Sequence, residues 1–123
     1  MIRILVIEDD EKIQESLLDL LELRKYQVYV AGNGREGIRL AEEQQPDVIL
    51  CDVMMGNLNG FSVLQAIKAI PALVRTPFIF LSALSEQKYI DLGLNQGADR
   101  YIVKPFRADQ LFSVLEETIK SKS

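Results

Sequence analysis

The chain lacks residue types and patterns on which whole classes of protein depend. It contains no histidine, which excludes a histidine-ligated metal, a histidine general base and a phosphohistidine carried by the chain itself. Its one cysteine, Cys51, excludes an intrachain disulfide and is typical of a reducing cytoplasm, where we expect the protein to be. No stretch approaches the roughly 20 apolar residues of a membrane span, and no charged-then-apolar start indicates a signal peptide. We therefore expect no membrane partner.

The remaining composition is that of one ordinary globular domain. The 123 residues are 48% hydrophobic and 26% charged, and this length is enough to bury a single core. Because there are no internal repeats, low-complexity segments or linkers, we predict one domain over residues 1–123. The net charge of −4 argues against nucleic-acid binding by this domain, which would need a basic face.

Short apolar runs and amphipathic segments alternate five times along the chain. The runs predict strands buried on both faces: Ile2–Ile7, Val28–Ala31, Val48–Cys51, Phe78–Leu81 and Arg100–Val103. Helical spacing predicts helices over residues 10–23, 33–43, 61–69, 85–95 and 107–120, with a loop over residues 56–60 and a polar tail at the end. The second run begins with more polar residues and is expected near a sheet edge. The alternation predicts an α/β fold, a doubly wound parallel sheet with helices on both faces, because crossover connections are right-handed.

Three of the apolar runs end in charged residues. The first leads into Glu8, Asp9 and Asp10, the third into Asp52, and the fifth into Lys104. The carboxyl ends of parallel strands share one edge of the sheet, where open α/β folds place their ligand sites. We therefore expect carboxylates from two strands and an ammonium group from a third to converge there.

The acidic cluster after the first strand has two interpretations. Adjacent carboxylates repel one another unless a cation lies between them, and Mg²⁺ prefers such oxygen ligands. Asp52, arriving from the third strand, would then complete the site. Alternatively, Asp9 or Asp10 caps the first helix by accepting hydrogen bonds from its exposed N–H groups.

Asp52, Lys104 and Ser82 also allow two interpretations each. Beside a divalent ion, an oxygen of Asp52 can attack phosphorus and form an aspartyl phosphate, whereas an acid after a strand commonly just opens a solvated loop. Lys104 would supply the opposite charge for a phosphoryl oxygen, although a lone lysine at a strand end is usually a solvated cation. Ser82 follows the fourth strand and would donate to the same phosphoryl group or simply belong to a turn. At one edge of one sheet, the three residues together indicate phosphoryl transfer.

With these motifs the sequence resembles the receiver domain of response regulators, the phospho-accepting module of two-component signalling. The resemblance covers the chain from Ile2 to about Ile119. It rests on residues 4–9, on Asp52-Val53-Met54-Met55 with Asn59-Gly60, on Ser82-Ala83 and on residues 101–106. It implies a flavodoxin-like fold, similar to that of chemotaxis regulators, with five strands in the order 2-1-3-4-5.

The resemblance implies a metal site for Mg²⁺ or Mn²⁺. Asp9 matches the direct ligand, and Glu8 matches its acidic neighbour, which acts through water. Asp52 matches the acid that is both phospho-acceptor and ligand. Met54 stands where the family uses a backbone carbonyl as ligand, so its side-chain identity is free.

The resemblance also implies a switch rather than an enzyme acting on a separate substrate. A sensor histidine kinase or phosphotransfer protein would pass a phosphoryl group from phosphohistidine to Asp52, with Lys104 holding a phosphoryl oxygen. Ser82 would move toward the phosphoryl group and Tyr101 would follow, changing the face formed by the fourth helix, the fifth strand and the fifth helix. That face would meet an output domain or protein, or a second copy in a phosphorylation-dependent homodimer. Residues expected to tune partner choice there are Gln87, Lys88, Asp91, Gln110 and Ser113.

Three further positions carry expectations. Met54 and Leu84, two residues past Asp52 and Ser82, would flank the water that hydrolyses the phosphoryl group, and apolar side chains there cannot orient it. We therefore expect a long-lived phosphorylated state. Gly56 stands where members of the family usually have proline, which predicts a more flexible loop.

Three other functions compete with this one. A flavodoxin-like FMN carrier would need a hydroxyl- and glycine-rich phosphate loop where this chain has Glu8, Asp9 and Asp10. A phosphatase of the dehalogenase type would need a second acid where this chain has Met54. A degenerate receiver would bind partners without being phosphorylated, and Gly56 keeps that alternative open.

Overall fold

The computed structural model describes residues 1–56 and 58–122, so Asn57 of the predicted loop and Ser123 of the predicted tail lie outside the described residues. The strands are β1 (Arg3–Ile7), β2 (Gln27–Ala31), β3 (Val48–Cys51), β4 (Phe78–Ser82) and β5 (Arg100–Val103). The helices are α1 (Glu11–Leu23), α2 (Gly34–Gln44), α3 (Gly60–Lys68), α4 (Gln87–Asn95) and α5 (Ala108–Lys122). An additional 3₁₀ helix, Pro71–Leu73, lies between α3 and β4. Within the described part of the chain, no helix is long and apolar enough to cross a membrane.

The five strands form one parallel sheet in the order β2-β1-β3-β4-β5. Ile4 of β1 lies opposite Val28 of β2 on one side and Val48 of β3 on the other. The doubly wound fold and the strand order implied by the resemblance are therefore confirmed. β2 is an edge strand, as its more polar start predicts, and its first residue, Gln27, is exposed.

Each face of the sheet carries its own core because successive side chains of a strand point to opposite faces. Ile4 and Val6 belong to the core beneath α1 and α5, whereas Leu5 and Ile7 belong to the core beneath α2 and α3. All four side chains are almost completely buried. A strand buried on both sides has no polar face, which is why the apolar runs are continuous rather than alternating.

Capping side chains fix the first turn of three helices. They therefore also fix where the loops that precede these helices end. The Oδ1 atom of Asp10 accepts hydrogen bonds from the N–H groups of Lys12 and Ile13, at 2.9 and 3.1 Å. Of the two interpretations of Asp10, the structure shows helix capping. Asn33 and Asn59 cap α2 and α3 in the same way.

The prediction that the fourth helix starts at Ser85 is wrong, since α4 begins at Gln87. The preceding segment is held as a loop by two hydrogen bonds at Leu84. Its N–H donates to Ser82 Oγ at 3.2 Å, and its carbonyl accepts from the hydroxyl of Tyr101 at 2.7 Å. The N-cap of α4, Glu86, makes no side-chain capping bond. Tertiary hydrogen bonding therefore shortens the helix that the local pattern favours.

Candidate functional site

The site lies at the carboxyl edge of the sheet, where the backbone holds each charged residue. The N–H of Glu8 donates to the carbonyl of Ala31 at 3.0 Å, which extends the β1–β2 pairing. The N–H of Asp52 donates to the carbonyl of Ile7 at 3.0 Å. Each residue therefore leaves its strand in a fixed direction.

Lys104 bridges two buried carboxylates. Its Nζ lies 3.3 Å from Oε2 of Glu8 and 3.2 Å from Oδ2 of Asp52. Glu8 and Asp52 are only 3% and 8% exposed. The backbone N–H of Lys104 donates to the Ser82 carbonyl at 2.8 Å, so β4 and β5 together hold the lysine. The structure thus brings together charges from three strands, as the sequence pattern predicts.

Asp9 adds a third carboxylate on the solvent side. Carboxylate oxygens of Glu8, Asp9 and Asp52 all lie within 4.8 Å of one another, and Asp9 is exposed. Three acids against the single ammonium of Lys104 leave a surplus of negative charge. Burial and, after it, the hydrogen bond and charge of Asp52 raise the pKa of Glu8 from 4.5 to about 7.

This donor set fits a hard divalent cation. All the available side-chain donors are carboxylate oxygens, which Mg²⁺ and Mn²⁺ prefer. Burial and the neighbouring Asp52 raise the pKa of Glu8 although Lys104 lowers it, so the ammonium group compensates only part of what disfavours the negative charge. A divalent ion among Glu8, Asp9 and Asp52 would supply that compensation, and the exposed side of Asp9 leaves it an entrance from solvent.

The loop after β3 folds tightly around the central acid. The N–H of Met54 donates to Oδ1 of Asp52 at 3.2 Å, and Met54 as a whole is 58% exposed. The N–H of Gly60 donates to the carbonyl of Val53 at 2.8 Å. A Cβ atom on Gly60 would lie 2.2 Å from the backbone oxygen of Asp52, so only glycine allows this approach. At Gly56, by contrast, a Cβ atom would meet nothing within 4 Å.

Ser82 and Tyr101 are linked through the loop that follows β4. Ser82 is fully buried, and its hydroxyl oxygen accepts the N–H of Leu84. Tyr101 donates to the carbonyl of the same residue, and its ring lies 5.8 Å from that of Phe80. Burial raises the pKa of the Tyr101 phenol. The two residues predicted to form a switch therefore hold one peptide segment from both sides.

Two features of the site could not be predicted from the sequence. The side chain of Gln14, on α1, donates to the backbone carbonyl of Glu8. A cavity of about 450 Å³ opens beside Asp9, between the loops that precede α2 and α3, and Arg35 and Leu58 are among its lining residues. One glutamine on an amphipathic helix is not a motif, and the loops that form the cavity are distant in sequence. No local residue pattern therefore predicts either feature.

Comparison with known proteins adds a family assignment to this geometry. The family model described as the response regulator receiver domain matches residues 4–116. The transcriptional regulatory protein DltR of Streptococcus agalactiae is 39% identical over 111 residues, which cover 90% of this chain and 49% of DltR. The chain therefore spans about half the length of that curated relative.

Solved structures match the chain along nearly its whole length. The receiver domain of Francisella response regulator 1452 is 32% identical with a TM-score of 0.92, and all of each chain is covered. The receiver domain of sensor histidine kinase PA1611 from Pseudomonas aeruginosa is 31% identical with a TM-score of 0.89, covering 96% of this chain and 97% of its own. That second structure has a magnesium ion coordinated in its active site cleft. The chain belongs to the response regulator receiver domain family, the signalling modules of two-component systems.

Proposed function

We propose that this chain, as one domain over residues 1–123, accepts a phosphoryl group on Asp52 from a phosphohistidine. The donor is a sensor histidine kinase or a phosphotransfer protein, because the chain has no histidine of its own. The observation that carries the proposal is the buried contact of Lys104 with Asp52 and Glu8 inside an acidic cluster that retains surplus negative charge. Charged groups with perturbed pKa values are concentrated at functional sites, and the carboxyl edge of a parallel sheet is where open α/β folds place their ligands.

The acidic cluster is the proposed site of Mg²⁺ or Mn²⁺. Asp9 and Asp52 would bind the ion directly, Glu8 would act through water, and the backbone carbonyl of Met54 would complete the protein ligands. When bound, the ion neutralises charge on the phosphoryl oxygens during transfer. The magnesium ion in the cleft of the PA1611 receiver domain supports this assignment by similarity.

The transfer step uses the side chains in their observed positions. An oxygen of Asp52 attacks phosphorus, the P–N bond to the donor imidazole breaks, and the imidazole leaves with the electron pair. Lys104, which contacts Asp52 before the reaction, then donates to a phosphoryl oxygen. Hydrolysis of the acyl phosphate later returns the free acid, so the chain is a switch with slow self-catalysed dephosphorylation rather than an enzyme with an external substrate.

The lifetime of the phosphorylated state follows from two apolar side chains. Met54 is largely exposed, and Leu84 is half-buried against the core beneath α2 and α3. Leu84 has no hydrogen-bonding group and the Met54 thioether is only a weak acceptor, so neither side chain orients a water molecule well. The proposal therefore includes slow hydrolysis of the phosphoryl group on Asp52.

The proposed output is a change of the face formed by α4, β5 and α5. The phosphoryl group adds about −1.5 to −2 charges and strong acceptors, toward which the Ser82 hydroxyl would turn. Movement of Ser82 disturbs its bond to Leu84 and thereby the Tyr101 contact on the other side of that residue. An output domain or protein, or a second copy of the chain, would bind this face. The residues predicted to tune partner choice are all exposed: Gln87, Lys88, Asp91, Gln110 and Ser113.

A cytoplasmic location belongs to the same proposal. The single cysteine, Cys51, is a free thiol buried at the end of β3, and free thiols are typical of a reducing compartment.

Intact mass spectrometry after incubation with acetyl phosphate tests the proposal. The expected result is the gain of one phosphoryl group that requires Mg²⁺ and is lost in Asp52→Ala. Asp19→Asn, which changes an exposed acid on α1, is the control and is expected to gain the group normally. A gain that persists in Asp52→Ala would contradict the assignment of the acceptor.

A further inference from the structure

Helix α1 contributes a polar contact to the loop that carries the acidic cluster. The Nε2 atom of Gln14 donates a hydrogen bond to the backbone carbonyl of Glu8, six residues earlier in the chain. Gln14 is half-buried, and its Nε2 lies close to Gly32 of the loop after β2. The amide thus lies between two loops that border the site.

The carbonyl of Glu8 belongs to the peptide that joins Glu8 to Asp9, and this peptide sets the direction in which Asp9 leaves the backbone. The N–H of Glu8 is fixed by Ala31, and its Oε1 accepts the N–H of Asp10 at 3.3 Å. The carbonyl of Glu8, in contrast, accepts its hydrogen bond from the side chain of Gln14. The loop is therefore held at its start by β2 and at the following peptide by α1.

Asp9 has no comparable support from its own side chain. It is exposed, and within residues 1–56 and 58–122 its carboxylate accepts no hydrogen bond and forms no ion pair. Its placement near Glu8 and Asp52 follows from the backbone that carries it. A group that fixes this backbone also fixes the distance between Asp9 and the other two carboxylates.

We infer that Gln14 is a positioning residue for the metal site: it holds the Glu8–Asp9 peptide so that Asp9 faces Glu8 and Asp52. This inference rests on the proposed function, because it concerns the cation that the cluster would bind. Partners that orient metal ligands without touching the metal typically change metal affinity about 10–100-fold when they are removed. Gln14 makes one such bond, to a peptide rather than to a ligand atom, so we expect an effect at the lower end, about tenfold.

Calorimetric titration of the full chain with MgCl₂ tests the inference with binding, not phosphorylation, as the readout. Gln14→Leu removes the donor and is expected to weaken Mg²⁺ binding about tenfold. Gln14→Glu keeps the shape but replaces the donor with a carboxylate, which repels the Glu8 carbonyl. Gln65→Glu, on the exposed surface of α3, adds the same charge elsewhere on the surface and is expected to bind Mg²⁺ like the wild type.

Gln14→Glu separates positioning from simple electrostatics. An added negative charge near the cluster would by itself tighten the binding of a cation, whereas loss of positioning weakens it. Weaker binding than wild type in Gln14→Glu and Gln14→Leu is the expected result. Tighter binding in Gln14→Glu would overturn the inference.

Urea unfolding in a metal chelator separates positioning from a general loss of stability. If both Gln14 variants are less stable but keep the wild-type affinity for Mg²⁺, Gln14 is a structural contact only and the inference is wrong. If the wild type itself shows no Mg²⁺ binding that Asp9→Asn removes, the proposed metal site fails and the inference fails with it. The two failures are distinguished by the wild-type titration alone.

Discussion

Replacing Asp52 with asparagine is expected to stabilise the metal-free protein. In the absence of a divalent ion, Asp52 and Glu8 are two buried carboxylates that share the single ammonium group of Lys104. Asparagine keeps the size of the side chain and removes one of the two charges. Lys104 then retains a one-to-one partner in Glu8, and the repulsion between the acids disappears.

The pKa of Glu8 sets the size of this effect. Its rise from 4.5 to about 7 corresponds to roughly 3 kcal/mol against the charged form, at about 1.4 kcal/mol per unit. Burial is the largest cause of that rise, and the hydrogen bond and charge of Asp52 come after it. Asp52 therefore accounts for only part of the rise, and the lost Lys104 contact offsets part of the gain. We expect a net gain of about 1 kcal/mol in the free energy of unfolding.

Urea unfolding at about pH 8, where Glu8 is charged, measures the effect in chelator and in excess MgCl₂. In chelator, Asp52→Asn is expected to be more stable than wild type. In Mg²⁺ the order should reverse, because a ligand at about 100 times its dissociation constant stabilises the protein that binds it by about 2.7 kcal/mol. Asp19→Asn, an exposed α1 variant, is the control and should follow the wild type. The reasoning is refuted if Asp52→Asn is less stable in chelator, or if Mg²⁺ stabilises both proteins equally.

Three other measurements test parts of the account that do not depend on that variant. The pKa of Glu8 is raised from 4.5 to about 7 in the folded protein. Protonated Glu8 therefore contributes to the free energy of unfolding fully below pH 4.5, and this contribution is lost as pH rises through about 7. In chelator, Glu8→Gln should remove this loss from the pH dependence of unfolding. Gly60→Ala should destabilise the protein by about 1–3 kcal/mol and slow phosphorylation, since the added Cβ meets the Asp52 backbone. Gly56→Ala should change the free energy of unfolding by less than about 1 kcal/mol. Equal effects of the two variants in urea unfolding would contradict the loop geometry. Met54→Asn combined with Leu84→Glu should speed dephosphorylation about tenfold, which corresponds to a barrier lower by about 1.4 kcal/mol. The rate is followed by the decay of the phosphorylated mass. An unchanged decay would show that these side chains do not limit access of water.

The sequence predicts much of the fold because the sheet is buried on both faces. Val48–Cys51 and Arg100–Val103 match β3 and β5 to the residue, since their apolar runs stop where the chain reaches the edge of the sheet. The convergence of Glu8, Asp52 and Lys104 follows from the same pattern, because parallel strands end at one edge. The strand order, in contrast, is implied by the resemblance alone, since apolar periodicity does not say which strands are neighbours.

Features that depend on tertiary contacts were not accessible in this way. The later start of α4 reflects hydrogen bonds from Ser82 and Tyr101 to Leu84, which local propensity does not register. The contact between Gln14 and the Glu8 carbonyl joins a helix side chain to a strand end, and no residue pattern marks it. The cavity beside Asp9 is formed by loops that are distant in sequence.

Locating the phosphoryl group on the chain tests whether Asp52 is the acid that becomes phosphorylated. Reduction with borohydride converts an aspartyl phosphate to homoserine, which peptide mass spectrometry then assigns to a position. After treatment with acetyl phosphate and Mg²⁺, we expect homoserine at position 52 and at no other acid. Homoserine at position 9 instead, or a phosphorylated chain with unreduced Asp52, would contradict it.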